Sequence, residues 1–270
     1  VTRKKLGLFT SFMMILVATS QPLHADERAV GAKTLLQPLY PLWLAQAGLL
    51  TTDQNATKMM TDAAIAGLAK QLPADCGEAR MKRDLCGIKP VRVPSSSMNP
   101  SVFELETIGI QTLDFRPLKR GDIIIHKARF HGGSETLALT RLIGLPGETI
   151  EMKDGVVFVN AAKMGQKDNG EILDGHWGSL RLAQEKTPEG SSYTITIMDE
   201  EASGAIKSFG PITLPPDRYF VLGDNRGNSV DSRYPDQLNE DGLVAAQDIE
   251  GAAIIILVSK KADRIGVPLR

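Results

Sequence analysis

The chain has no surplus of charge of either sign. Among 270 residues, 31 are Lys or Arg and 32 are Asp or Glu, a net charge of −1. A nucleic-acid binder would carry a basic excess, so that class is excluded. A disordered acidic chain would be poor in apolar residues, whereas 42% of these are hydrophobic. Cysteine is scarce, with only Cys76 and Cys86, and histidine is limited to His24, His126, His131 and His176. Neither set falls at a metal-ligating spacing, so no metal and no cofactor is expected. There is no internal repeat and no low-complexity tract. Beyond the N-terminus, no apolar run approaches the ~20 residues of a membrane span. What remains is a chain long enough for one large domain or two small ones, with a real core.

The N-terminus is the first informative stretch. Arg3, Lys4 and Lys5 precede an uncharged run from Leu6 to Ser20, and Leu23-His24-Ala25 is followed by Asp26 and Glu27. A basic start, an apolar run and a small residue before a cut are the parts of a secretory signal. The reading is a signal peptide over residues 1–25 cleaved after Ala25. An uncleaved short anchor is the second reading, and a buried N-terminal helix the third. Either membrane reading leaves residues 3–5 on the cytoplasmic side and the bulk of the chain across the membrane. In that compartment Cys76 and Cys86 would pair as a disulfide. The alternative is a pair of free buried thiols.

Residues 26–88 read as a helical arm. Thr61 is placed as an N-cap ahead of the helix formers up to Leu72. Pro38 and Pro41 interrupt the leucine-rich stretch Thr34 to Leu50. From about Lys89 the pattern becomes β. Strand runs lie at Asp122–Lys127, Gly155–Asn160, Ser192–Ile197, Tyr219–Leu222 and Ala253–Val258. Asp154-Gly155 marks a tight hairpin. Residues 161–190, polar and glycine-rich, read as a loop-rich insertion. The fold class is therefore mainly β: two antiparallel sheets about a groove over residues 89–262, an inserted lobe near 150–212, the helical arm, and a tail at 263–270.

Four segments could carry chemistry. Pro94-Ser95-Ser96-Ser97-Met98-Asn99-Pro100 places three serines between prolines, on a turn that can present a hydroxyl. Gly223-Asp224-Asn225-Arg226-Gly227-Asn228-Ser229-Val230-Asp231-Ser232-Arg233-Tyr234 is a dense polar loop after a strand. It cannot be a calcium loop, because Arg226 and Pro235 stand where ligands belong. Lys119-Arg120-Gly121-Asp122 and Arg141-Leu142-Ile143-Gly144-Leu145-Pro146-Gly147-Glu148 complete the set. Each alone is an ordinary turn.

In this order and combination the four segments resemble the type I (bacterial leader) signal peptidases, membrane-bound serine endopeptidases. The resemblance covers roughly residues 89–260 and leaves residues 26–88 unexplained. It implies Ser97 as nucleophile and Ser95 as an oxyanion-hole hydroxyl, with the Ser97 N–H as the second donor. Asp224, Arg226, Asp231 and Arg233 would buttress the site, and Ser229 would orient the general base. That base is a lysine in the family, just before the Arg of the Gly-Leu-Pro-Gly strand. Here the position is Thr140, whose hydroxyl is not basic at neutral pH. The intact segment from Arg141 to Gly147 argues against a shifted alignment.

Two readings follow. In one, another side chain supplies the base: Lys127 or His131, with His126 on the same strand, brought near Thr140 by a hairpin at His131-Gly132-Gly133. Against this stands the plain reading of all three as a solvated strand edge. In the other, the protein is an impaired relative that binds extended peptides without cutting. The substrate implied is an exported preprotein or extended peptide at a membrane surface. The location implied is periplasmic, or the extracytoplasmic face of the cytoplasmic membrane. A third class is an assembly factor acting through residues 26–88.

Overall fold

The computed structural model describes residues 25–41, 54–112, 116–175, 178–197 and 205–269. The signal or anchor segment lies outside them except for Ala25, as do His24, His176 and residues 42–50 of the leucine-rich stretch. No described helix is long and apolar enough to cross a membrane.

Runs of β-branched residues become strands, and the most apolar runs become interior strands. β1 (Ile88–Arg92), β2 (Thr107–Gln111), β3 (Ile123–Arg129) and β4 (Glu135–Gly144) come first in the chain. β12 (Arg218–Leu222), β13 (Val244–Ala245) and β14 (Ile249–Val258) come last. Together they form one seven-stranded antiparallel sheet, ordered β1-β2-β14-β3-β4-β12-β13. The tripeptide Ile123-Ile124-Ile125 is buried throughout, as is Ala252 to Leu257 of β14. Both strands have neighbours on each side and packed side chains on each face, so apolarity is continuous where an exposed face would impose alternation. β3 is thus not a solvated edge. His126 on it has no exposed surface.

The strands between form two smaller sheets, so among the described residues there are three sheets rather than two. β5 (Thr149–Lys153), β6 (Val156–Val159), β7 (Ala162–Lys163) and β11 (Phe209–Thr213) make a four-stranded sheet, ordered β11-β5-β6-β7. Asp154 and Gly155 both take positive φ, 50° and 79°, at the β5–β6 turn, as an Asp-Gly hairpin requires. β8 (Gly165–Gly175), β9 (Gly178–Lys186) and β10 (Ser192–Ile197) form the third sheet. The loop-rich reading of 161–190 is therefore corrected. These strands are polar and carry little apolar alternation, yet backbone pairing holds them in an antiparallel ladder.

The arm comprises α1 (Ala25–Leu36), α2 (Gln54–Ala69) and α3 (Glu78–Asp84). α1 stops two residues before Pro38, which lacks the N–H a helix needs. α2 begins well before Thr61, so Thr61 sits inside the helix instead of capping it. Ala32, Leu36, Leu68 and Leu72 pack with Ile254, Ile255 and Leu257 of β14 into one core. Each such large side chain contributes about 1.5–3 kcal/mol on burial. A disulfide joins Cys76 to Cys86 inside this core. The residues read as a tail also pack: Leu269 is buried, and Arg264 pairs with Glu106 at 2.6 Å.

Candidate active site

Ser97 sits on a turn held from both ends. Met98, next in the chain, is fully buried among Val93, Val102, Ile108 and Ile110. The turn closes through Asn99 N–H to Ser96 O at 3.1 Å and Val102 N–H to Met98 O at 2.9 Å. The second clamp comes from the Gly-Asp-Asn loop. Asn225 donates its backbone N–H to Ser97 O (3.0 Å) and its side-chain amide to Ser96 O (3.1 Å). Asn228 donates to Ser96 Oγ at 3.1 Å. The hydroxyls of Ser95 and Ser97 then stand 3.1 Å apart.

Both serines open onto a cavity of about 850 Å³. Its apolar wall includes Val91, Val93, Ile108, Ile125 and Leu139, and Thr140, Ser229 and His131 also line it. Register explains why Thr140 and Ser229 meet there. Leu222 of β12 pairs with Arg141 of β4, so Gly223 follows beside Thr140. A Cβ on Gly223 would lie 2.1 Å from Ser229 Oγ and 2.7 Å from Ser97 O. Only glycine admits that approach. Ser229 Oγ is buried and has no hydrogen-bond partner among the described residues.

Under the cavity lies a layer of paired charges. Arg141 grips Asp224 through Nε–Oδ1 (2.7 Å) and Nη2–Oδ2 (2.6 Å), with its guanidinium 3.9 Å from the Tyr193 ring centre. Arg226 grips Glu185 at 2.9 and 2.5 Å, and Arg233 grips Asp231 at 2.8 Å through two bonds. Such fork-to-fork pairs fix geometry as well as charge. They also pin Gly223. Its N–H donates to Asp231 Oδ2 at 2.9 Å, and its carbonyl accepts from Arg226 Nε at 3.2 Å. Burial opposes the Glu185 charge, but Arg226, the Tyr193 hydroxyl and Arg141 hold its carboxyl below the usual carboxylate range. Burial and then the Glu185 charge push the Tyr193 phenol up. Asp224, Arg226, Asp231 and Arg233 thus lie in one buried scaffold.

Of the substitute bases read from the sequence, Lys127 does not line the cavity. Its Nζ lies 3.9 Å from Glu135 Oε1. His131 does line it, on the exposed β3–β4 turn at φ 50°. The histidine that reaches Thr140 is His126. β3 and β4 pair with Ile124 opposite Thr140 and His126 opposite Ala138, which places His126 and Thr140 diagonally on one face. Their Nε2 and Oγ1 are 3.0 Å apart. Successive side chains on a strand alternate, so Lys127 leaves from the face that carries Ile125, not from that of His126 and Thr140. Sequence spacing also missed Glu185 and Tyr193, which sit on β9 and β10.

Among the described residues, no group of His, Cys, Asp or Glu is placed to hold a metal ion.

Comparison with known proteins matches this sequence to a family. The model described as "Signal peptidase, peptidase S26" matches residues 85–258. A signal peptidase I P of Bacillus subtilis subsp. natto is 35% identical over 178 residues, covering 62% of this chain and 76% of its own. A signal peptidase I T of Bacillus subtilis is 32% identical, covering 61% and 71%. A signal peptidase I of Pseudomonas aeruginosa is 28% identical, covering 64% and 65%. The match takes in the Ser97 turn, the Arg141 strand and the Gly223–Arg233 loop together, and the chain belongs to the signal peptidase, peptidase S26, family.

Proposed function

We propose that the protein is a serine endopeptidase that removes N-terminal signal peptides from exported preproteins at the outer face of the cytoplasmic membrane. One observation carries this reading. The Ser97 and Ser95 hydroxyls stand 3.1 Å apart on a doubly clamped turn at an apolar cavity. Ser97 attacks the scissile carbonyl, giving an acyl-enzyme that water resolves. The Ser95 hydroxyl and the Ser97 N–H, which the turn's own hydrogen bonds leave free, stabilise the oxyanion. Each donor contributes a few kcal/mol because it acts on charge present only in the tetrahedral state. β1 is the edge strand of the large sheet, and Val91 and Val93 lie on the cavity wall. An extended substrate segment adds along this edge, with small side chains entering the cavity.

The test is incubation of residues 26–270 with a preprotein carrying an Ala-x-Ala site, beside Ser97→Ala, with products read by mass spectrometry. Cleavage at the site that vanishes in the variant is expected. Identical products from both proteins would sink the reading.

A second reading is supported by Thr140 together with the unpartnered Ser229 Oγ. A lysine at position 140 would bring an amine that Ser229 could orient, and threonine brings none. On this reading the groove binds an extended peptide and releases it intact. It predicts no cleavage by the native protein, and cleavage once Thr140→Lys restores the amine.

A further inference from the structure

The interior of the large sheet holds one histidine that the scaffold does not require. His126 is fully buried on a strand that opens with three isoleucines. Its two ring nitrogens have different partners. Nδ1 lies 3.0 Å from the Lys127 carbonyl oxygen, and Nε2 lies 3.0 Å from Thr140 Oγ1. A carbonyl oxygen can only accept, so Nδ1 carries the proton. Nε2 is then a bare acceptor, and the Thr140 hydroxyl donates to it. Thr140 also lines the cavity that Ser97 shares. A hydroxyl with a base behind it and a nucleophile's cavity before it is arranged as a relay.

We propose that Thr140 and His126 form a two-step proton relay that performs at Ser97 the task a lysine performs elsewhere in the family. The inference rests on the peptidase reading above. The Thr140 hydroxyl stops several bonds short of where a lysine amine would reach, so the relay includes one water between Ser97 Oγ and Thr140 Oγ1. In the acylation step Ser97 Oγ forms a bond to the carbonyl carbon, whose π electrons move to the oxyanion. The Ser97 proton passes through the water to Thr140 Oγ1, and the hydroxyl proton of Thr140 passes to His126 Nε2. On collapse the C–N bond breaks, and the same proton returns along the path to the leaving amine. In deacylation a second water attacks the acyl carbon and its proton passes by the same route to His126 Nε2; the bond from the acyl carbon to Ser97 Oγ then breaks, and the proton returns along the path to Ser97 Oγ.

The environment suits a neutral ring at rest. Burial pushes the His126 imidazole down from its usual value, against the Lys127 carbonyl and the charge of Asp248. β4 faces the ring with Ala138 and Thr140, and β14 meets it with Ile249, none of them ionisable near neutrality. Asp248, in the turn that leads into β14, is the charged side chain that favours the imidazolium formed during the reaction.

The experiment measures preprotein cleavage against pH for the native protein and for His126→Gln, Thr140→Val and Thr140→Ser, with circular dichroism to verify folding. Activity of the native protein should fall as pH drops through a value below the ordinary ~6.5 of histidine. His126→Gln and Thr140→Val should lose 10²–10⁴-fold in kcat, roughly what a positioned base supplies, with KM little changed. Thr140→Ser should retain activity within about tenfold. Histidine-labelled protein, read by ¹⁵N NMR, should show His126 protonated at Nδ1 only. If the native protein cleaves and either His126→Gln or Thr140→Val cleaves equally well, the relay is overturned while the peptidase reading stands. If the native protein fails to cleave, the peptidase reading is overturned and the relay with it.

Discussion

Gly223 and Ser229 occupy space that only one of them can fill: a methyl group on Gly223 would lie 2.1 Å from Ser229 Oγ. Gly223→Ala should therefore displace Ser229, the Ser97 carbonyl, or both. Overpacking of this kind costs about 1–3 kcal/mol. Urea denaturation should register that loss. Peptide cleavage should fall by more than the folded fraction explains, because the turn that carries Ser97 moves. Unchanged kinetics in a fully folded variant would show that the close approach has no bearing on catalysis.

The Arg226–Glu185 pair should be worth most when one partner is removed. Both side chains are buried, so Arg226→Met or Glu185→Gln alone leaves a charge uncompensated, at a cost of about 3–5 kcal/mol. The double variant should lose less than the sum of the singles, which a double-mutant cycle measures. Additive losses would mean that the two charges are not coupled.

Acid should act through the same residue. The Glu185 carboxyl is held below its unfolded value. Its stabilisation is therefore complete above the unfolded ~4.3 and is lost as pH falls through the lower folded value. Chemical denaturation at a series of pH values should show native stability declining in that window. Glu185→Gln, less stable at neutrality, should show a shallower decline.

Met98 offers a separate test of the turn. It is fully buried, and Met98→Ala should cost about 2–5 kcal/mol. In the fraction that stays folded, kcat should fall with little change in KM, since the cavity wall survives while Ser97 loses its anchor.

The disulfide should matter to the arm more than to the site. Cys76 and Cys86 close a loop with a sequence separation of 10, which loop entropy values at about 2–3 kcal/mol. A double Cys→Ser variant should melt earlier by calorimetry and, while folded, cleave at the native rate.

Legibility in the sequence followed the range of the interactions. The Ser97 turn and the Gly223–Arg233 loop are compact runs of prolines, serines and paired charges, and both could be read directly. So could the strands rich in isoleucine and valine. His126 was legible only as one of three residues that a hairpin brings near Thr140; that it is the partner, and not Lys127 or His131, follows from the register of β3 on β4. Glu185 was hidden for a related reason. It lies in a polar stretch that looks like a loop, and its partner is 41 residues away. Thr61 misled because α2 starts earlier, and burial of Ala64 and Leu68 against the sheet outweighs a local cap signal.

The clamps on Ser97 and Gly223 run through backbone groups and through Asn225, Asp231 and Arg226. None of them passes through the side chain at position 140. The placement of Ser97 is thus decoupled from the identity of residue 140. The side chain at position 140 can therefore be exchanged by editing a single strand position without the turn losing its shape.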